Sequence, residues 1–331
     1  MAVHWLSTGG AILCFHSLTT PELPAEVEVH VSAHFFASAL NLARRLAEIV
    51  PLRVILERYQ EGKSTTGLIA ITCDDAYATL LAVGGELIRK EGVPLTVFVV
   101  TDAALSAGKY WWDRIEDTFP RVPRALWRQF ESRCGVPESF RRGQPSEFGP
   151  LRPLRQWILH HYKGRWPQEL EPALAELERE CGFTTPHRSM SFEEIERLIS
   201  CPTVDIGVHT VSHPVLPLLS DEQVIEEARA CYKLLRERFA VALPVMAIPY
   251  GLFDRRTARL AREAGMSSCL ALGSSGIDLW HRSDGVVPRF CMSRGDRLWK
   301  LGLRLTGLTD RLQGRFGQIP PRYPDLPSFR T

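Results

Sequence analysis

Seven short apolar runs constrain what this 331-residue chain can fold into. They are Ala11–Phe15, Leu68–Cys73, Leu95–Val100, Val204–Val208, Val245–Ile248, Ser268–Leu272 and Val286–Met292. Each is largely apolar without an alternating polar face, which predicts strands covered on both sides. Helical spacing of apolar residues predicts helices over Ala33–Ile49, Ala76–Lys90, Ser191–Ile199, Ser220–Phe239 and Asp254–Ala264. Two of these open with a capping box, Ser191 with Glu194 and Ser220 with Gln223. Strands that alternate with helices imply a parallel α/β architecture, and seven units imply a closed or nearly closed barrel. His16, Asp74, Asp75, His209 and Tyr250 all fall where strands end. In a β/α barrel that is the end that carries the chemistry.

The alternation breaks between residues 102 and 190. Five of the eight tryptophans fall there, among many Pro, Arg and Glu residues, which predicts a mostly helical insertion within one barrel spanning residues 1–292. Residues 289–331 hold nine Lys/Arg against three Asp, so this end is +6 in a chain of net charge +2. Overall charge therefore gives no argument for a nucleic-acid partner. In the tail, 293–331, Leu298, Leu301, Leu305, Leu308 and Leu312 share one helical face flanked by Arg297, Lys300, Arg304 and Arg311. Such a helix either packs on its own barrel or lies peripherally on an anionic membrane. The eight cysteines include no C-x-x-C pair, and no signal peptide or bilayer-length apolar run is visible. The expectation is a cytoplasmic protein with reduced thiols, membrane-associated if the tail binds lipid.

Chemistry is concentrated first at Asp74-Asp75. Two adjacent carboxylates at the end of a buried strand repel each other and lose hydration, an arrangement suited to a metal ion or a catalytic base. An ordinary strand-to-turn boundary is the plainer alternative. His209 and His213 stand four residues apart just past another strand; on one helical turn they would face one metal. With Asp75 they make a two-His, one-carboxylate set that fits Zn²⁺ or another divalent cation. Asp74 is then free to act as a base. Pro249 and Gly251 fix a turn in Ala247-Ile248-Pro249-Tyr250-Gly251, whose backbone N–H could face a developing oxyanion.

Together these stretches resemble a known family. Thr72-Cys73-Asp74-Asp75-Ala76 resembles the T-F-D-D-G motif of the polysaccharide deacetylases, also called the NodB homology domain or carbohydrate esterase family 4. His209–His213 resembles the family's H-[ST]-x-x-H motif, and Ala247–Gly251 its R-x-P-Y-G motif. The resemblance implies a distorted (β/α)₇ barrel and removal of an N-acetyl group from an amino sugar. It implies Asp74 as base, Asp75, His209 and His213 as ligands of a divalent metal, with Zn²⁺ the expected ion, and the Tyr250 backbone as oxyanion donor.

Ala247 stands where many members carry an Arg that orients the base, and Arg289 is the expected substitute from the last strand. Leu13-Cys14-Phe15-His16 resembles the N-terminal strand of the poly-N-acetylglucosamine deacetylase subgroup, which makes His16 the expected general acid, with His281 second. Trp111, Trp112 and Asp113, together with Pro249, are the expected substrate contacts, since flat aromatic faces suit sugar rings; core packing is the other use of such tryptophans. The expected partner is an N-acetylated glycan, as an oligosaccharide, a polysaccharide precursor or a lipid-linked glycan. A sugar-lipid deformylase and a catalytically inactive glycan-binding barrel are the alternatives.

Overall fold

The computed structural model describes residues 9–138, 152–273, 277 and 285–306. The barrel strands are β1 (Ala11–Phe15), β2 (Leu68–Cys73), β3 (Leu95–Val99), β4 (Val204–Val208), β5 (Ala242–Ala247), β6 (Ser268–Leu272) and β7 (Val286–Cys291). Each pairs in parallel with its chain neighbour. β1 closes the ring against both β2, from Ala11 opposite Ile69 to Phe15 opposite Cys73, and β7. The result is a closed seven-stranded parallel barrel with flanking helices, as the alternation predicts. A two-residue strand, Glu48–Ile49, is added alongside β2.

Alternate residues on each strand face opposite sides. Ile12, Ala70, Phe98, Val245, Ala247, Leu270 and Val287 form one buried cluster with Leu52, Ile55, Leu56 and Tyr59. The latter four belong to a helix, Leu52–Gln60, that its sequence pattern did not announce. Its Arg53 reaches Asp205 and its Gln60 reaches Ser268, both at strand beginnings, so this helix plugs the barrel end away from the strand C-termini. Inside, the Phe98 ring fills the space beside Gly207; a Cβ there would come within 2.5 Å of the ring. The opposite faces of the strands pack against the outer helices, and the two capping boxes form as expected.

Three local expectations change. The helix placed at Ala76–Lys90 begins later, because Asp75 and Ala76 take left-handed conformations, φ 65° and 48°, and spend that segment on a turn. The helix Ala33–Leu46 stops short of Ile49, which pairs with β2 instead. The tail helix is seen as Leu298–Leu305. Its Leu301 and Leu305 are buried in the cluster outside the barrel, while Leu298 and Trp299 are exposed. The remaining tail positions, including Leu308, Arg311 and Leu312, lie outside the described residues. Among the described residues no helix is long and apolar enough to cross a membrane.

The insertion is mostly helical, with Trp111–Thr118, Arg124–Arg133, Arg152–His161 and Glu171–Cys181. It carries its own apolar cluster of Trp111, Trp112, Trp127 and Trp157, continuous with Tyr77 and Val100 of the barrel. Packing of this cluster sets one wall of the cavity at the strand C-termini.

Candidate active site

The cavity at the C-terminal mouth of the barrel has a volume of about 380 Å³, within the usual range for a small-molecule site. His16, Asp74, Asp75, Trp111, Trp112, His209, His213, Tyr250 and Arg289 all line it. Residues from four strand ends, from within β7 and from the insertion are thus gathered at one place.

Asp75 Oδ1 lies 3.4 Å from His209 Nε2 and 3.5 Å from His213 Nε2. All three side chains are buried, and Asp75 Oδ1 makes no hydrogen bond. A buried carboxylate oxygen left bare costs about 1–3 kcal/mol or more, and a cation between these three donors would remove that cost. His209 Nδ1 lies 2.9 Å from the Ala247 carbonyl oxygen. Donation of Nδ1–H to that carbonyl leaves the Nε2 lone pair aimed at Asp75, the tautomer a metal ligand needs. Burial, with the neighbouring Asp75 charge only partly opposing it, pulls the His213 pKa down to about 3, so its ring is neutral and available to a cation. The donor set therefore fits a divalent metal.

The pairing of the two histidines does not come from a helical turn. His209–His213 is a loop in which Thr210 and His213 are left-handed, φ 67° and 54°. Glu227, from the helix Asp221–Arg238, pins it: its carboxylate accepts the Val211 and Ser212 N–H groups at 2.9 and 3.0 Å and the Ser212 hydroxyl at 2.7 Å. Arg165 of the insertion donates to the same carboxylate at 2.5 Å. Of the seven left-handed non-glycine residues among the described residues, five belong to this site: Asp75, Ala76, Thr210, His213 and Tyr250. Such conformations persist where surrounding contacts over-determine them, and they concentrate at functional sites.

Asp74 is treated differently from its neighbour. Arg289 donates to both its oxygens at 2.7 Å, and the Arg289 side chain is itself buried. Thr72 positions the guanidinium, accepting from it at 3.3 Å while donating to the Leu13 carbonyl at 3.0 Å. Burial would raise the Asp74 pKa, but the Arg289 charge and hydrogen bonds outweigh it and hold the carboxyl well below its usual range. Asp74 is thus ionised and fixed, 3.9 Å from His209 Nε2.

Residues 174–269 match the model of the polysaccharide deacetylase family. The match takes in His209–His213 and Ala247–Gly251. The matched segment is thus similar to part of a polysaccharide deacetylase domain. Over 90 residues, 25% of this chain, it is 28% identical to chitin deacetylase 1 of Cryptococcus neoformans var. grubii, and the match covers 19% of that protein's length. The fold is similar to IcaB from Ammonifex degensii (TM-score 0.58, 16% identity, 91% of this chain and 98% of the other). It is also similar to the Streptococcus pyogenes deacetylase PplD (TM-score 0.56, 11% identity, 90% and 98%).

Around the cavity, other expected residues divide. His16 is half-buried and lines the same cavity as Asp74, at the end of the neighbouring strand. Burial pulls its pKa down, yet the Cys291 charge and hydrogen bond and the Asp74 and Asp75 charges push it up to about 9. Trp112 faces His213 with ring centroids 4.9 Å apart, and stacks on Tyr110 at 4.5 Å. Tyr250 packs on His213 at 4.4 Å and its hydroxyl donates to the Gly164 carbonyl at 2.7 Å. Asp113 is a correction: it is fully buried, accepts from the Tyr77 hydroxyl at 2.7 Å, lies 3.2 Å from His30 Nε2 and does not line the cavity. Its helix turns it into the seam between insertion and barrel. Pro249 is likewise buried inside its turn rather than set against the cavity; its neighbours Ile248, Tyr250 and Gly251 form the wall. His281 lies outside the described residues.

The cavity and its supports also include residues that the sequence motifs do not announce. Glu227 carries no motif and reveals itself only through its contacts with the loop. Glu116 and Arg155, both from insertion helices, form a 2.9 Å ion pair in the cavity wall. Burial, only partly offset by Arg155, raises the Glu116 pKa to about 7.

Proposed function

We propose that this chain is a metal-dependent hydrolase that removes the N-acetyl group from an amino sugar of an oligosaccharide, a polysaccharide or a lipid-linked glycan precursor. The observation that carries the reading is the unequal treatment of two adjacent acids. Asp75 presents a bare oxygen to two histidine nitrogens, whereas Asp74 is clamped by Arg289.

Asp75, His209 and His213 would hold the cation, Zn²⁺ being the expected ion; when bound it supplies Lewis acidity and an acidified water at the amide. Asp74 takes a proton as general base at an Oδ. Its clamp serves orientation, since a base must sit within hydrogen-bond reach of the proton it abstracts. His16 stays protonated to about pH 9 and delivers a proton to the leaving amine. The Tyr250 backbone N–H faces the developing oxyanion. Trp111 and Trp112 give the sugar an apolar wall, and the Glu116–Arg155 pair offers polar partners for its hydroxyls.

The test is acetate release from N-acetylglucosamine oligomers by the metal-loaded protein, before and after chelation, with N-formyl substrates in parallel. The proposal expects acetate release that chelation removes and metal restores. Formate release without acetate release would move the activity to deformylation. Failure with every amino-sugar amide would leave a glycan-binding barrel.

A further inference from the structure

Two thiols near Asp74, those of Cys14 and Cys291, remain unaccounted for by hydrolysis. Cys14 and Cys291 are register partners on the neighbouring strands β1 and β7. Both face the barrel mouth, and their sulfurs and a His16 ring nitrogen all lie within 4.8 Å of one another. Cys291 Sγ is 3.9 Å from His16 Nδ1. Cys291 is half-buried and lines the cavity, whereas Cys14 is fully buried, its Sγ 3.5 Å from Asp74 Oδ2. All eight cysteines are free.

We propose that Cys291 is an oxidant-sensitive modification site and that Cys14 is the thiol that resolves it into a disulfide. The geometry meets the two requirements of such a pair. Neighbouring parallel strands lie about 4.8 Å apart, inside the Cα separation that a disulfide bridges. The attacking sulfur is reachable from the cavity and sits beside an imidazole that stabilises its anion, as reactive cysteines do. The two thiols are also set apart electrostatically. The hydrogen bond from Cys14, opposed by burial and aided by the His16 charge, lowers the Cys291 pKa to about 5, while burial raises that of Cys14. Burial likewise raises the thiols of Cys73, Cys134, Cys231 and Cys269.

The oxidant is hydrogen peroxide or a related hydroperoxide. The Cys291 thiolate attacks one peroxide oxygen; an S–O bond forms, the O–O bond breaks, and hydroxide leaves to take a proton from solvent. Two electrons have passed from sulfur to peroxide, and Cys291 is a sulfenic acid. The Cys14 sulfur then attacks Cys291 Sγ; the S–S bond forms, the S–O bond breaks, and hydroxide departs as water with the Cys14 proton. A dithiol reductant reverses the change. None of this depends on which amide, if any, the site hydrolyses.

The experiment is peptide mass mapping of the full chain after mild hydrogen peroxide treatment, under non-reducing conditions, with free thiols alkylated. The expected result is a Cys14–Cys291 linked peptide that disappears on reduction. In Cys14→Ser, dimedone should label Cys291, about tenfold or more faster than the half-buried Cys181. Wild-type protein in which both Cys14 and Cys291 remain alkylatable after treatment would overturn the proposal. So would dimedone labelling in Cys14→Ser that favours Cys181 over Cys291. The wild-type map stands whether or not the variant folds.

Discussion

Arg289 grips Asp74 through two hydrogen bonds of 2.7 Å, with both side chains buried in the barrel mouth. A bidentate guanidinium fixes a carboxylate in position and in plane, which a lysine cannot do. Removing one partner of a buried pair leaves an uncompensated charge and costs about 3–5 kcal/mol. Arg289→Ala is therefore expected to lose that much stability in denaturant unfolding, and Arg289→Ala with Asp74→Ala to recover a substantial part of it. Arg289→Lys should fold and show depressed turnover. Unchanged turnover in Arg289→Lys would contradict the positioning role.

Glu227 touches neither the cavity nor either imidazole, yet it carries the loop that presents them. Its carboxylate satisfies two backbone N–H groups, a hydroxyl and Arg165 at once. Glu227→Ala should weaken metal binding by about 10–100-fold, the usual cost of losing an orienting partner. Calorimetric titration of the metal-stripped protein measures this directly; an unaltered Kd would show that the loop holds its shape unaided.

The pH profile should report His16. Its pKa is raised, so the protonated acid is present at neutral pH and lost only as pH climbs through about 9. The alkaline limb of kcat/KM is expected there. Replacing Cys291 with Ser removes the largest of the charges that raise this pKa. The limb should then move to lower pH, toward the ordinary histidine range near 6.5. An alkaline limb that stays in place in Cys291→Ser would separate it from His16.

Glu116 and Arg155 lie in the wall but not beside the acids. Arg155→Ala is expected to raise KM about tenfold, roughly 1.4 kcal/mol of binding, with kcat little changed. Steady-state kinetics on a glycan oligomer checks this, and a kcat effect equal to the KM effect would place the pair closer to the chemistry than the structure does.

Much of this site was legible because its residues sit where strands end, and strand ends are visible as the close of apolar runs. Asp74, Asp75, His16 and His209 all follow that rule, whereas Arg289 interrupts its apolar run from within β7. Residues positioned by tertiary packing were not legible. Glu116 and Arg155 reach the cavity only because the insertion folds over it, and Glu227 lies mid-helix like any surface acid. Asp113 was misplaced for the same reason: beside Trp112 in sequence, it is carried round its helix into the Tyr77–His30 seam. The left-handed turn at Asp75-Ala76 was masked by helix-forming residues after it, and the H-x-x-x-H spacing suggested a helical turn where a pinned loop exists.

In the proposed function Asp74 and Asp75, adjacent in sequence, have different jobs. Metal content and acetate release measured together on Asp74→Asn and Asp75→Asn test it most directly. Asp74→Asn is expected to keep its metal and lose turnover, while Asp75→Asn loses both. Loss of metal in Asp74→Asn, or a metal-loaded and active Asp75→Asn, would contradict it.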